Sequence, residues 1–155
     1  MENILECRGL TKDYKGLRAL NNLTFSLPDE GRIVGLLGTN GSGKTTFIKL
    51  MAGLLTPSSG YLRIAGLSIG TETKSLVAYL PDSNFLNDSF TVRQEVEYYR
   101  DFFADFDEAR AWKMIEELGV SKTQKVRALS KGTKEKLGLI LTLARNAKLY
   151  IFDEP

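Results

Sequence analysis

Apolar and polar positions along this chain of 155 residues alternate in some stretches, run unbroken in others and recur at helical spacing elsewhere. Short alternating segments such as 23–27 (LTFSL) and 61–64 (YLRI), punctuated by glycines, predict an antiparallel β layer over 3–30 and roughly 60–70. The physical reason is that successive strand side chains point to opposite faces. The unbroken apolar runs 33–37 (IVGLL) and 149–152 (LYIF) predict buried strands. Over 44–55, Phe47, Ile48, Leu50, Met51, Leu54 and Leu55 fall at the spacing of one helix face. Residues 84–146 are mainly helical in pattern: a capping box at 91–94 (TVRQ) opens a helix running to about Phe103, a second helix spans 107–118 and stops at Gly119, and a third covers 134–145. No internal repeat, low-complexity tract or long linker divides the chain, so a single domain is expected.

The chemistry enters at 38–46, GTNGSGKTT, which fits G-x-x-x-x-G-K-[ST] with Gly38, Gly43, Lys44 and Thr45 in the fixed places. Gly38, Gly41 and Gly43 accept backbone angles closed to residues with a β-carbon, so the N–H groups of the loop, Thr39, Asn40 and Ser42 included, can turn inward around a polyanion. Lys44 adds a mobile point charge for the β- and γ-phosphates of a nucleotide. The Thr45 hydroxyl can complete the water-rich octahedron of Mg²⁺, and Thr46 lies in the first helical turn beside it. The run 33–37, the glycine loop and the helix that follows aim backbone donors and a helix dipole at one phosphate group. The second signal is Asp153 and Glu154, delivered at the end of the LYIF run. Alone, such a pair is more often a solvated turn. After a phosphate loop it reads as Asp153 holding Mg²⁺ through water and Glu154 polarising the water that attacks the γ-phosphate.

Between these lies 129–133, LSKGT, leading into the third helix. By itself this is a serine N-cap. With the phosphate loop before it and the Asp-Glu strand after it, the chain resembles the ATP-binding subunit of ABC transporters, whose signature loop is usually LSGGQ. Leu129, Ser130 and Gly132 match, and Lys131 and Thr133 depart. The resemblance implies an α/β fold: a P-loop NTPase core with an antiparallel β layer and a helical subdomain. It divides the chain into 1–83 with 147–155 as core and β layer, and 84–146 as helical subdomain carrying the signature. It implies ATP and Mg²⁺ as ligands and a head-to-tail dimer, in which Ser130 and Gly132 reach the γ-phosphate held by a second ATP-binding subunit. It further implies a separate transmembrane permease driven by ATP hydrolysis, and a cytoplasmic location on the inner face of the membrane. Tyr14 matches the aromatic that stacks on adenine, although a tyrosine in a β-rich segment also serves as ordinary core or edge. Asp82, closing YLPD, falls where the family has a glutamine touching Mg²⁺ and the attacking water; a carboxylate keeps the metal contact but cannot donate a hydrogen bond.

The chain has no histidine, whereas the family grips the γ-phosphate with one beyond the Asp-Glu strand. The expectation is therefore a domain whose C-terminal part is missing, poorly active or inactive alone. A ribosome-associated ABC ATPase without a membrane partner, or a nucleotide-binding fragment without turnover, are the alternatives. The family's coupling groove falls in the aromatic helical region. Most of its rings are expected to be core, with Phe85 and Leu86 the best partner-facing candidates. A net charge of +2 is too mild to argue for nucleic acid, and the single cysteine, Cys7, excludes an internal disulfide framework. Met1 is followed by Glu2 with no basic-then-apolar leader, and no apolar run approaches the ~20 residues of a membrane span.

Overall fold

The computed structural model describes residues 2–154, which divide into two compact units, one ending at Val77 and the other beginning at Ala78. In the first unit, β1 (Asn3–Tyr14) and β2 (Leu17–Pro28) form an antiparallel pair with Leu5 opposite Leu27, Cys7 opposite Phe25 and Tyr14 opposite Leu17. β3 (Ser59–Ile64) adds to the other edge of β1, and β4 (Leu67–Ser68) follows through a tight turn, giving the order β2-β1-β3-β4. That turn, Ala65-Gly66, has positive φ at both residues, which matches the right-handed twist of its flanking strands. The register of β1 slips on both ladders after residues 7 and 8, around Gly9. A β-carbon on Gly60 would lie 2.2 Å from the Gly9 carbonyl oxygen, so the two backbones meet where only glycine fits.

Helix α1 (Lys44–Met51) packs on this sheet through Phe47, Ile48, Leu50 and Met51, with the Phe47 ring 5.6 Å from that of Phe25. It ends before residue 55 because Gly53, at φ 70, closes it. The Gly53 N–H bonds the Leu50 carbonyl and the Leu54 N–H the Lys49 carbonyl, the paired bonds of a Schellman motif. A short helix α2 (Thr71–Leu76), not anticipated from the sequence, follows β4.

One expectation fails here. The run 33–37 is not a buried strand: residues 31–39 carry no regular element, and Ile33 and Leu37 are 103% and 92% exposed. A strand is held by ladder bonds to a neighbour, and among the described residues none pairs with this segment.

In the second unit, β5 (Val77–Leu80) and β6 (Leu149–Phe152) form a two-stranded sheet. α3 (Val92–Phe102) opens on the expected capping box: Thr91 Oγ1 accepts the Gln94 N–H at 3.2 Å and Gln94 Oε1 accepts the Thr91 N–H at 2.8 Å. α4 (Glu108–Leu118) is capped by Asp107 and closed by Gly119 at φ 73. A 3-10 turn (Val126–Ala128) leads into α5 (Lys131–Leu143), which starts and ends earlier than the expected 134–145. Its start is set by Ser130, whose hydroxyl accepts the Thr133 N–H at 3.2 Å. Past its end, the buried Arg145 guanidinium pairs with Asp105.

Val92, Val96, Ile115, Val126, Leu129, Leu137 and Leu141 form the core of this unit, and Leu86 belongs to it at 7% exposure. Leu86 is thus a core residue rather than a partner-facing one. The loop that carries it turns its side chain inward between α3 and α5, while Phe85 remains 37% exposed. Tyr99 and Phe106 pack on the core, whereas Tyr98 and Phe102, four apart on α3, are exposed and stacked 5.8 Å apart.

Leu137→Ala is expected to cost about 2–5 kcal/mol, as a buried leucine leaves a cavity, and Lys136→Ala on the exposed face of the same helix under about 0.5 kcal/mol, both read by urea unfolding followed through Trp112 fluorescence. The carboxyl of Glu95 is 3% exposed, and burial pushes its pKa above the ordinary 4.5 despite the N–H of Asn87 that it accepts. The folded state therefore holds this proton more tightly than the unfolded state, and stability is lost as pH rises from the unfolded value through the folded one. Glu95→Gln should flatten that fall in a pH series of unfolding curves, with equal or higher stability at neutral pH.

Candidate nucleotide-binding site

The phosphate loop closes on itself in the first unit. Gly41 and Gly43 sit at φ 80 and 94, and Gly43 is the N-cap of α1 with no side chain to bond the first-turn N–H groups. A β-carbon on Gly43 would stand 2.4 Å from the Ala19 carbonyl oxygen, and one on Gly38 would stand 2.5 Å from Ser42 Oγ. The Ser42 N–H donates to the Thr39 carbonyl at 3.1 Å. Lys44 folds back over the loop, its ammonium donating to the carbonyls of Gly38 at 2.6 Å and Thr39 at 2.9 Å. No acidic residue lies in the first turn of α1, so the positive end of its dipole is left uncompensated. Left-handed glycines, open N–H groups, a helix N-terminus and a mobile ammonium make a cradle for a polyphosphate. The exposed Thr45 hydroxyl and the half-buried Thr46 lie in that first turn, while Thr39 and Asn40 lie in the exposed part of the loop.

Tyr14 ends β1 at 43% exposure, with the Lys12 ammonium 5.5 Å from its ring centre. An aromatic face of this kind can accept a planar base.

In the second unit, the Asp153 N–H donates to the Leu80 carbonyl at 3.0 Å, aligning the end of β6 with that of β5. Asp153 is 4% exposed, whereas Asp82 and Glu154 are solvent-exposed, Glu154 with a left-handed φ of 49. The Tyr79 phenol is held above its ordinary pKa of 10.0, first by burial and then by the charges of Asp153 and Asp82. Asp82 and Asp153 are therefore brought together around one ring. Tyr79 is the residue that the sequence does not single out, because within the unbroken apolar run VAYL it reads as an ordinary strand position. Among the described residues no group of three or more His, Cys, Asp or Glu side chains could hold a metal. Within the second unit the Asp82 and Asp153 carboxylates are hard oxygen donors, and within the first the Thr45 hydroxyl is another; oxygen donors of this kind are what Mg²⁺ prefers.

The signature residues occupy the first turn of α5. Ser130 Oγ lies 2.8 Å from Thr133 Oγ1 as well as capping the helix, and a β-carbon on Gly132 would meet nothing within 4 Å. Local packing therefore does not require glycine at 132. Lys131 points to solvent, 92% exposed and 3.8 Å from Glu135. No described helix is long and apolar enough to cross a membrane.

Comparison with known proteins converges on one family. The family profile described as "ABC transporter" matches residues 20–155. The chain is 33% identical over 154 residues to ABC transporter ATP-binding protein YtrB of Bacillus subtilis, covering 98% of the chain and 52% of that protein. It is 31% identical over 159 residues to SkfA peptide export ATP-binding protein SkfE of the same organism, covering 98% and 66%. Among solved structures, an ATP-binding subunit of an ABC transporter superposes with TM-score 0.85 at 29% identity, covering 97% of this chain and 65% of that one. The chain thus spans about half the length of curated relatives such as YtrB.

Gly43→Ala is expected to abolish the heat of a Mg-ATP titration while far-UV circular dichroism stays unchanged, because a methyl group forced against the Ala19 carbonyl opens the loop.

Proposed function

The chain belongs to the ABC transporter ATP-binding family, and from that premise we propose that it binds Mg-ATP as the ATP-binding subunit of a transporter whose membrane pore is a separate polypeptide. The observation that carries this reading is Lys44, whose ammonium spans a left-handed glycine loop at an uncapped helix N-terminus.

In this reading Lys44 exchanges the Gly38 and Thr39 carbonyls for β- and γ-phosphate oxygens, the first-turn N–H groups of α1 hold the phosphates, and Tyr14 stacks on the base. Thr45, Asp82 and Asp153 would hold Mg²⁺, which would supply charge neutralisation on the phosphates. Glu154 accepts a proton from the water aligned for in-line attack. Ser130 and Gly132 of one copy meet the nucleotide held by a second copy in a head-to-tail dimer. Catalysis then consists of positioning and charge neutralisation. Phe85, Tyr98 and Phe102 are the exposed rings available to a permease subunit, which would place the protein on the inner face of the membrane.

The 155 residues contain no histidine to grip the γ-phosphate, and binding without appreciable turnover is the expected behaviour of this chain by itself. Calorimetric titration of Mg-ATP, with released phosphate assayed on the same samples, tests the reading. Lys44→Ala should abolish binding, and Glu154→Gln should preserve it. Equal affinity in wild type and Lys44→Ala would remove the basis for the assignment. Rapid turnover by the 155 residues, abolished by Glu154→Gln, would overturn the expectation of an inactive chain.

A further inference from the structure

The segment between β5 and α3 is held from three sides. Asp82 stands at its start and is exposed, while residues 87–90 at its end are tied down. The buried Glu95 carboxylate on α3 accepts the Asn87 N–H. The 3-10 strap contributes the Arg127 N–H to the Asp88 carbonyl at 3.2 Å and the Val126 N–H to the Phe90 carbonyl at 2.9 Å, and the Lys125 ammonium donates to the Ser89 carbonyl at 2.9 Å. From α5, the Lys134 ammonium meets Asp88 Oδ1 at 2.7 Å. Lys134 lies at the end of the same helical turn whose N-cap is Ser130 and which contains Gly132, and its N–H bonds the Ser130 carbonyl at 2.9 Å. Its side chain is only 19% exposed although its partner Asp88 is 61% exposed.

We propose that Lys134 is a positioning residue: its ion pair with Asp88 fixes the first turn of α5 to the segment that begins at Asp82, so that Ser130, Gly132 and Asp82 are placed as one body. This rests on the nucleotide reading given above for those three residues. An isolated pair with one exposed partner supplies little binding strength. Its value is geometric, because the remaining ties already immobilise residues 87–90 and the pair extends that rigidity to the turn presenting the signature. The segment's links to α3 and the strap involve no side chain of that turn.

The test uses the intact protein with Lys134→Met, Asp88→Asn and the charge exchange Asp88→Lys with Lys134→Asp. The expected result is a kcat for ATP lowered about three- to fivefold in each single variant at unchanged KM, restored in the exchange, the scale a part-exposed pair can supply. Hydrogen exchange should quicken reciprocally, in 131–134 when Asp88 is changed and in 87–90 when Lys134 is changed, and recover in the exchange. Unchanged kcat in both single variants of an active wild type overturns the proposal and leaves the nucleotide reading intact, as does a rise in KM alone. Where the wild type binds ATP without turning it over, or does neither, in which case the nucleotide reading fails, the hydrogen-exchange rates decide the linkage: reciprocal quickening supports it, and quickening confined to the altered side refutes it.

Discussion

At residue 43 the backbone is pressed so close to the Ala19 carbonyl that a β-carbon would sit 2.4 Å from its oxygen, and the phosphate loop depends on that contact. Glycine at φ 94 turns the chain directly into α1, and because glycine has no side chain the helix starts without a cap. In the second unit α3, α4 and α5 each begin on a side-chain acceptor, from Thr91, Asp107 and Ser130. Such a cap stabilises a helix by about 1 kcal/mol. α1 forgoes it, carries no acidic residue in its first turn, and places an ammonium over the opening. A helix end left so strongly positive is stable in company with an anion, and a polyphosphate supplies both the acceptors and the charge that the sequence withholds.

The signature turn solves the same problem in the opposite way. Ser130 caps α5 and also lies in hydrogen-bonding contact with Thr133, so its hydroxyl is engaged locally before any ligand arrives. Thr133 stands where the family usually has glutamine, and that short hydroxyl makes the internal contact. Gly132, with open space around its missing side chain, allows close approach of another molecule's backbone or phosphate, and Lys131 adds a charge where the family has a second glycine. The departures from the family motif therefore keep the approach open while making the turn more basic and more self-contained.

Local chemistry was legible wherever one residue dictates the backbone. Gly119 closes α4, the Thr91 capping box opens α3, and the glycine loop places Lys44, because each acts through bonds within a few residues. The antiparallel layer was legible for a similar reason, since alternation is a property of each strand itself. What escaped depends on partners distant in sequence. The run 33–37 has the composition of a buried strand, yet composition states only a preference, and without a ladder neighbour those side chains remain in solvent. The inward placement of Leu86 depends on packing against helices distant in sequence, and nothing in the local residues separates it from its neighbour Phe85, which stays 37% exposed. The early start of α5 follows from a local bond, the Ser130 hydroxyl accepting the Thr133 N–H, although the signature pattern by itself reads as a loop.

The carboxylates show how far site chemistry can be taken from residue identity. Asp82 and Asp153 were singled out separately, from a motif position and a strand end, and the Tyr79 phenol is what reveals that they share a neighbourhood. Burial is the largest cause of the raised pKa of the Tyr79 phenol, and the charges of Asp153 and Asp82 acting on the same ring add to it. Negative charge gathered at the ends of β5 and β6 is unfavourable in isolation and becomes favourable beside a divalent cation. Where glutamine would leave this ground neutral, Asp82 deepens it. The carboxylate at 82 accepts hydrogen bonds but, unlike a glutamine amide, can donate none.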